Sequence, residues 1–270
     1  MLVQTETGLQ YLMLLKNKKL LSQKYSIVVT EDEYTFCGLV SLSSLKIDKN
    51  ETSNKINIKN WIEKNSIKDS TQIIVSNSPA LFVPHVIYDA DLSKNYYEKF
   101  DTLNSSDSLS TDQSTNHINS IIYKISKSIN LLKEVYLVNS DVVHYQTILY
   151  DYLIRKNKNS TSKKLYINIH KYSFDIFLFF GEQLQLVNRF IIKGSNSFLY
   201  FLYFIIEKNN LKENEFSICF LGNYLSFEQY YNSAKLFHEK VEFISIGNNK
   251  NVISSSPFLI QLNANNIRNS

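Results

Sequence analysis

Residues 165–211, LYINIHKYSFDIFLFFGEQLQLVNRFIIKGSNSFLYFLYFIIEKNNL, carry the clearest structural signal in the chain. Aromatic and branched residues fill 165–170, 174–180 and 184–192 with polar turns between them, so three meandering strands are expected. Apolar residues then recur at helical spacing through 197–209, an aromatic-rich helix suited to burial against that sheet. Further on, 216–221 (FSICFL) reads as a buried strand, 226–238 as an amphipathic helix capped by Ser226, and 241–246 as a last strand. The Asn/Ser-rich tail 248–270 has one further strand candidate at 258–262.

Before this block lies a polar linker, 156–163 (KNKNSTSK), and before the linker the same order of elements unfolds more loosely. Residues 25–30 and 34–40 form a hairpin with the acidic tip Glu31-Asp32-Glu33. Ile58, Trp61, Ile62 and Asn65 recur at helical spacing, with Asn57 as the expected N-cap. A short buried strand follows at 72–76, a helix at 92–100 and a polar, low-complexity connection at 102–116. The half closes with strand 118–126, helix 129–136, strand 137–139 and helix 144–155. Leu92-Ser93-Lys94-Asn95-Tyr96-Tyr97 echoes 225–231, and with the element order it supports a duplicated βββαβα fold. The expected boundaries are 20–160, 161–247 and a tail at 248–270.

Composition sets limits on function. The 270 residues are 44% hydrophobic and 20% charged, enough apolar content for one large domain or two small ones. With 29 Lys+Arg against 25 Asp+Glu the net charge is +4, too small for a dedicated nucleic-acid binder. Arginine occurs only at Arg155, Arg189 and Arg268, so a polyanion-reading surface is not expected. The run 198–206 is about half of the ~20 residues a membrane span needs. No signal peptide is evident, because the apolar run 11–15 ends at Lys16. Cys37 and Cys219 sit far apart in β-like runs, expected as free thiols in a reducing cytoplasm. The histidines lack zinc-site spacing, and no metal is expected. The three glycosylation sequons, at Asn50, Asn104 and Asn159, are accidents of an Asn-rich chain.

The segments 165–211 and 216–237, with SIVVTEDEYTFCGL at 26–39 and LFVPHVIYD at 81–89, together resemble a bacterial family of uncharacterised proteins with an actin-like ATPase fold. The resemblance covers about residues 20–247. More remotely, 118–155 before the central meander resembles the cytoplasmic actin-like proteins of type IV pilus and type II secretion assembly, which act mainly by holding partners. The implied architecture is α/β, a duplicated actin-like ATPase (ribonuclease-H-like) fold with two subdomains around a cleft.

The resemblance also implies where nucleotide chemistry would reside. Actin-like ATPases place an Asp and a Gly in each hairpin, the carboxylate for Mg²⁺ and the glycine for backbone approach to phosphate. In the second hairpin Asn168 stands at the Asp position and His170 at the Gly position. In the first, Thr30-Glu31-Asp32 has carboxylates but no glycine, and Gly38 falls in the following strand. Arg189, Gly194 with Ser195, and Gly222-Asn223 resemble the remaining nucleotide-side positions. The set Thr30, Asp32, Asn168, His170, Gly194 and Gly222 is therefore expected to be a degenerate nucleotide site with no ATP bound. The alternative is an ATP-binding protein or slow ATPase with a divergent pocket. Arg189 has a plainer reading as a surface partner of Glu182. Glu31, Asp32 and Glu33, with Asp175, could serve a ribonuclease-H-like nuclease only if carboxylates converged on two metals. Tyr230 and Tyr231 are candidate anchors for a protein partner, beside an aromatic helix whose first role is core. The expectation is a cytoplasmic, non-catalytic binding or scaffold module with a protein partner, no nucleic acid, no membrane span and no cofactor.

Overall fold

The central meander forms where its alternation requires. In a computed structural model, which describes residues 25–38, 42–48, 50–222 and 224–244, strands β9 (Lys163–Ile169), β10 (Ser173–Phe180) and β11 (Gln183–Ile191) pair antiparallel. β12 (Phe216–Leu221) joins β9 in parallel, and β13 (Val241–Ile244) joins β12 in parallel, giving the order β11-β10-β9-β12-β13. The first half repeats this arrangement. β1 (Ser26–Val29), β2 (Glu33–Cys37) and β3 (Leu42–Lys46) form an antiparallel meander. β4 (Gln72–Val75) and β8 (Val142–His144) then add in parallel, giving β3-β2-β1-β4-β8. The same strand order with the same pairing senses is the duplication that the element order suggested.

Both opening hairpins turn through two residues. Thr30 N–H donates to Glu33 O (3.0 Å) around Glu31-Asp32, and His170 N–H donates to Ser173 O (2.8 Å) around Lys171-Tyr172. Thr30 therefore corresponds to His170, and Val28 corresponds to Asn168. Following the registers outward, the row Val28, Thr35, Ser44 in the first sheet matches Asn168, Asp175, Arg189 in the second.

Helix α1 (Glu51–Lys64) starts at Asn50, whose side chain accepts from Ser53 N–H at 3.1 Å, and not at Asn57. Its opening residues are mostly polar and exposed, so apolar spacing reports only the later half, Ile58 and Trp61. Trp61 Nε1 donates to Ser43 Oγ (2.9 Å) and ties the helix to β3. Between β4 and β8 the chain inserts a small sheet of order β5-β7-β6, made from β5 (Ala80–Pro84), β6 (Ser108–Gln113) and β7 (Asn119–Ile125). The polar stretch 102–116 thus contains an edge strand, which needs backbone pairing with β7 but little apolar content. Helix α2 (Ser93–Glu98) packs Tyr97 on this small sheet with Val83 and Ile122. Its echo of 225–231 is not a structural equivalence, because the later segment packs on a large sheet. After helix α3 (Lys127–Leu131) a π-helical turn, Leu132–Tyr136, closes with Leu137 N–H on Leu132 O (2.8 Å). The expected strand at 137–139 is therefore turn, and the strand proper is β8.

The described chain divides into two compact units after Ile148, inside helix α4 (Tyr145–Lys156), so that 156–163 lies within the second unit. In that unit, helix α5 (Ser195–Lys208) buries Phe198, Leu202 and Ile205. Helix α6 (Tyr224–Lys235) buries Phe227, Tyr230, Tyr231 and Ala234. Both stripes have helical spacing, and both meet Leu165, Ile167, Phe174, Ile176, Ile218 and Phe220 of the sheet. Each such large apolar side chain contributes about 1.5–3 kcal/mol on full burial. Ser226, the expected cap, lies within α6, which begins at Tyr224. On the opposite sheet face Tyr150 of α4 stacks on Phe179, and Tyr166 donates its hydroxyl proton to Asn157 Oδ1 (2.9 Å). Val40, Asn223, residues 245–246 and the strand candidate 258–262 lie outside the described residues.

Candidate functional site

The row across the second hairpin is polar, although its central strand β10 is apolar from Ile176 to Phe180. Asp175 pairs in register with Asn168 on β9 and Arg189 on β11, so the three side chains share one sheet face. Asp175 is 0% exposed. Its Oδ1 accepts from Arg189 Nε at 3.1 Å, and its Oδ2 accepts from Asn168 Nδ2 at 3.2 Å and lies 2.5 Å from His170 Nε2. His170 Nε2 also lies 3.0 Å from Asn168 Nδ2 and 3.4 Å from an Arg189 terminal nitrogen. Arg189 is thus the ion-pair partner of buried Asp175 and not of Glu182, which instead accepts from Asn159 N–H (2.6 Å). Both oxygens of Asp175 are committed to donors from its own sheet. A charge pair taken this far out of water holds together only through such hydrogen bonds.

The first hairpin has no ion pair at the corresponding row. Thr35 Oγ1 lies 3.1 Å from Ser44 Oγ, and Val28 stands where the second half has Asn168. Thr30 Oγ1 accepts from Glu33 N–H (3.2 Å) and donates to Asp32 Oδ1 (3.3 Å), so the threonine and the carboxylate together brace the turn. Gly38 lies past the end of β2, away from the turn.

Gly194 and Gly222 both adopt positive φ, 111° and 110°. Gly194 is the residue before α5, where Ser197 Oγ accepts from Lys193 N–H (2.7 Å) and donates to Gly194 O (2.9 Å). A Cβ at Gly194 would meet nothing within 4 Å, so its backbone angle and not crowding selects glycine. Gly222 N–H donates to Ile244 O (3.0 Å) at the end of β12. Tyr230 and Tyr231 correct the sequence reading: both are buried in the core of the second unit, and Tyr231 donates its hydroxyl proton to Val241 O (3.2 Å). At helical spacing on α6 they share the stripe of Phe227 and Ala234, and it is Tyr200 and Phe204 of α5 that reach solvent.

One polar cluster escaped sequence reading. Asp112 of β6 accepts from His144 N–H (2.8 Å), Thr147 Oγ1 (2.7 Å) and the Tyr123 hydroxyl (2.9 Å). His144 Nδ1 accepts from Gln146 N–H (3.2 Å), so Nε2 carries the proton that Ser78 O accepts (2.9 Å). Asp112 therefore stands at the N-terminus of α4, where backbone donors and the helix dipole favour a negative charge. A single Asp in a Ser/Thr-rich stretch gives no sequence signal of this role.

Among the described residues no group of three or more His, Cys, Asp or Glu side chains could hold a metal ion. No helix of the described residues is long and apolar enough to cross a membrane. Cys37 and Cys219 are buried free thiols, each pushed up to about 12 by burial.

The fold is that of actin-like ATPases. The chain is similar to a Bacteroides thetaiotaomicron protein of actin-like ATPase fold and unknown function, with TM-score 0.68 and 20% identity over 83% of this chain and 91% of that one. It is also similar to the structure described as the PilM-PilN type IV pilus biogenesis complex, with TM-score 0.53 and 8% identity over 91% and 98%. No curated protein matches the sequence at a significant level. The family model described as "Protein of unknown function (DUF3822)" matches residues 4–241.

Proposed function

We propose that this chain, which belongs to the DUF3822 family, is a cytoplasmic actin-like module that has lost phosphate chemistry and works by holding a protein partner. The observation that carries this reading is the Asp175–Arg189 pair with its His170 and Asn168 contacts. Mg²⁺ takes carboxylate oxygens that keep lone pairs available beside water, and Asp175 offers a carboxylate already neutralised and enclosed. Asn168 has no charge to orient a metal, and the His170 ring stands where main-chain amides would need to approach phosphate. These residues do not fit a magnesium triphosphate, and no step of hydrolysis is assigned to them. Two free buried thiols support a reducing compartment. The PilM–PilN neighbour supports partner holding by analogy of fold alone and names no partner for this chain. Calorimetric titration with Mg-ATP into the millimolar range tests the reading: no heat of binding is expected, and a saturable heat would favour the ATP-binding alternative.

A further inference from the structure

The second compact unit leaves one long sheet edge open. β11 is the outer strand of its sheet, and no strand of the described residues pairs with its far side. An exposed edge is a template for another chain, and proteins blunt theirs by shortness, charge, proline or bulges. The other edge strands follow that rule. β3, β5, β6, β8 and β13 have three to six residues, β3 ends on Lys46, β5 ends on Pro84 and β13 carries Glu242. β11 has nine residues without Lys, Asp, Glu or Pro. Its one charge, Arg189, is turned onto buried Asp175, and its bulge lies towards Gln185, which leaves 186–191 uninterrupted.

Hydrogen bonding fixes which groups of this edge look outward. Ile192 N–H donates to Tyr172 O (3.0 Å), and backbone groups alternate in direction along an antiparallel strand. The N–H and C=O of Asn188 and Phe190 therefore face β10, and those of Val187, Arg189 and Ile191 face away. Arg189 N–H accordingly donates to Oδ1 of its own neighbour Asn188 (2.8 Å), a side chain filling the place of a strand. Beside the open edge lies an apolar shelf. Phe201 of α5 stacks on Phe190 with ring centres 4.6 Å apart, and Tyr200, 65% exposed, meets Phe201 edge-on at 5.2 Å. At the end of β11, Ile191 and Lys193 are exposed, and exposed Lys171 belongs to the hairpin turn alongside. No Asp or Glu occurs between Glu182 and Glu207.

We infer that β11 takes an extended segment of a protein partner as a sixth strand, with aliphatic side chains over Phe190, Phe201 and Tyr200 and a carboxylate facing Lys171 and Lys193. The inference rests on the partner-holding reading and names the kind of segment held. Main-chain groups at Val187, Arg189 and Ile191 supply the pairing, with Asn188 swinging away from Arg189 N–H as the segment arrives. Strand alternation brings every second side chain of the segment over the aromatic shelf. Charge selects a partner over a second copy of this chain, because β11 carries no carboxylate and an edge paired with its own copy would offer the two lysines none.

The probe is a fluorescently labelled synthetic peptide as long as β11, alternating valine and threonine, with an aspartate at each end. Titration with the full chain at low ionic strength should give a saturable rise in anisotropy that added salt weakens. Amide hydrogen exchange should slow at Val187 and Ile191 when the peptide is bound, and stay unchanged at Asn188 and Phe190, which already bond to β10. Val187→Pro removes an outward N–H and no ladder bond, at a place where an edge strand tolerates proline, and should weaken binding about tenfold. Tyr200→Ser, which removes an exposed ring and nothing from the core, should weaken it as well. Lack of saturable binding at millimolar peptide, or binding that either variant leaves unchanged, would overturn the inference. Light scattering that finds the wild type dimeric and Val187→Pro monomeric would overturn it too, giving the edge to a second copy. Mg-ATP titration is a separate measurement, so failure of the edge is told apart from failure of the partner-holding reading.

Discussion

Asp175 Oδ1 and Arg189 Nε stand 3.1 Å apart across the β10–β11 ladder, with the carboxylate wholly out of solvent. Breaking a buried pair by removing one member leaves an uncompensated charge, which typically costs about 3–5 kcal/mol. Arg189→Met should destabilise the chain by about that amount. Asp175→Asn with Arg189→Met together should cost less than the sum of the singles, with a coupling of about 0.5–3 kcal/mol. Denaturant unfolding of the four proteins measures this cycle. Additive losses would mean that the two charges do not interact.

Asn168→Asp should destabilise rather than restore a metal site. Its new carboxylate would stand near the Asp175 Oδ2 that Asn168 now donates to at 3.2 Å. Two carboxylates this close cannot both ionise freely, so one is held protonated in the folded state, with its pKa raised above the unfolded value. The folded state then binds more protons than the unfolded chain. Relative to wild type, the stability loss should therefore be full at neutral pH and shrink as pH falls toward the ordinary Asp value of about 3.9. Unfolding curves across that range check the sign.

How much of this pair was legible in sequence depends on one irregularity. Both opening hairpins have two-residue turns, and from His170–Ser173 alone the register places Asp175 opposite Asn168, as observed. The next turn misleads. Counting back from Phe180↔Gln183 puts Asn188 opposite Asp175, but a bulge between Leu178 and Phe179 shifts the pairing by one residue and brings in Arg189. A bulge has no reliable sequence mark, so Glu182 looked the nearer partner. Where apolar spacing was dense, at β9 to β11 and α5, elements followed the pattern closely. Where pairing or capping did the work, at β3, β6 and Asn50, polar sequence concealed them.

Asp112→Ala should leave His144 N–H, the Thr147 hydroxyl and the Tyr123 hydroxyl without their acceptor. A buried donor left without its acceptor costs about 1–3 kcal/mol, and three lose theirs here. Thermal unfolding should register the loss. An unchanged midpoint would mean that the start of α4 does not depend on this carboxylate of the inserted sheet.

Cys37 and Cys219 should both react with a thiol reagent only after unfolding, and both should count as free. Burial raises each thiol from the ordinary 9.0 to about 12, so the folded chain retains protons that the unfolded chain releases. Their contribution to stability is complete below the unfolded value and declines as pH rises from there toward 12. Rapid labelling of the native protein at neutral pH would contradict the burial assigned to them.

The proposed loss of phosphate chemistry is tested most directly by thermal unfolding with and without millimolar Mg-ATP. A nucleotide present at 100 times its dissociation constant would add about 2.7 kcal/mol to stability and raise the midpoint measurably. With Asp175 closed onto Arg189, Asn168 and His170, the midpoint should not move. A rise that saturates with Mg-ATP concentration, and that EDTA reverses, would contradict the account.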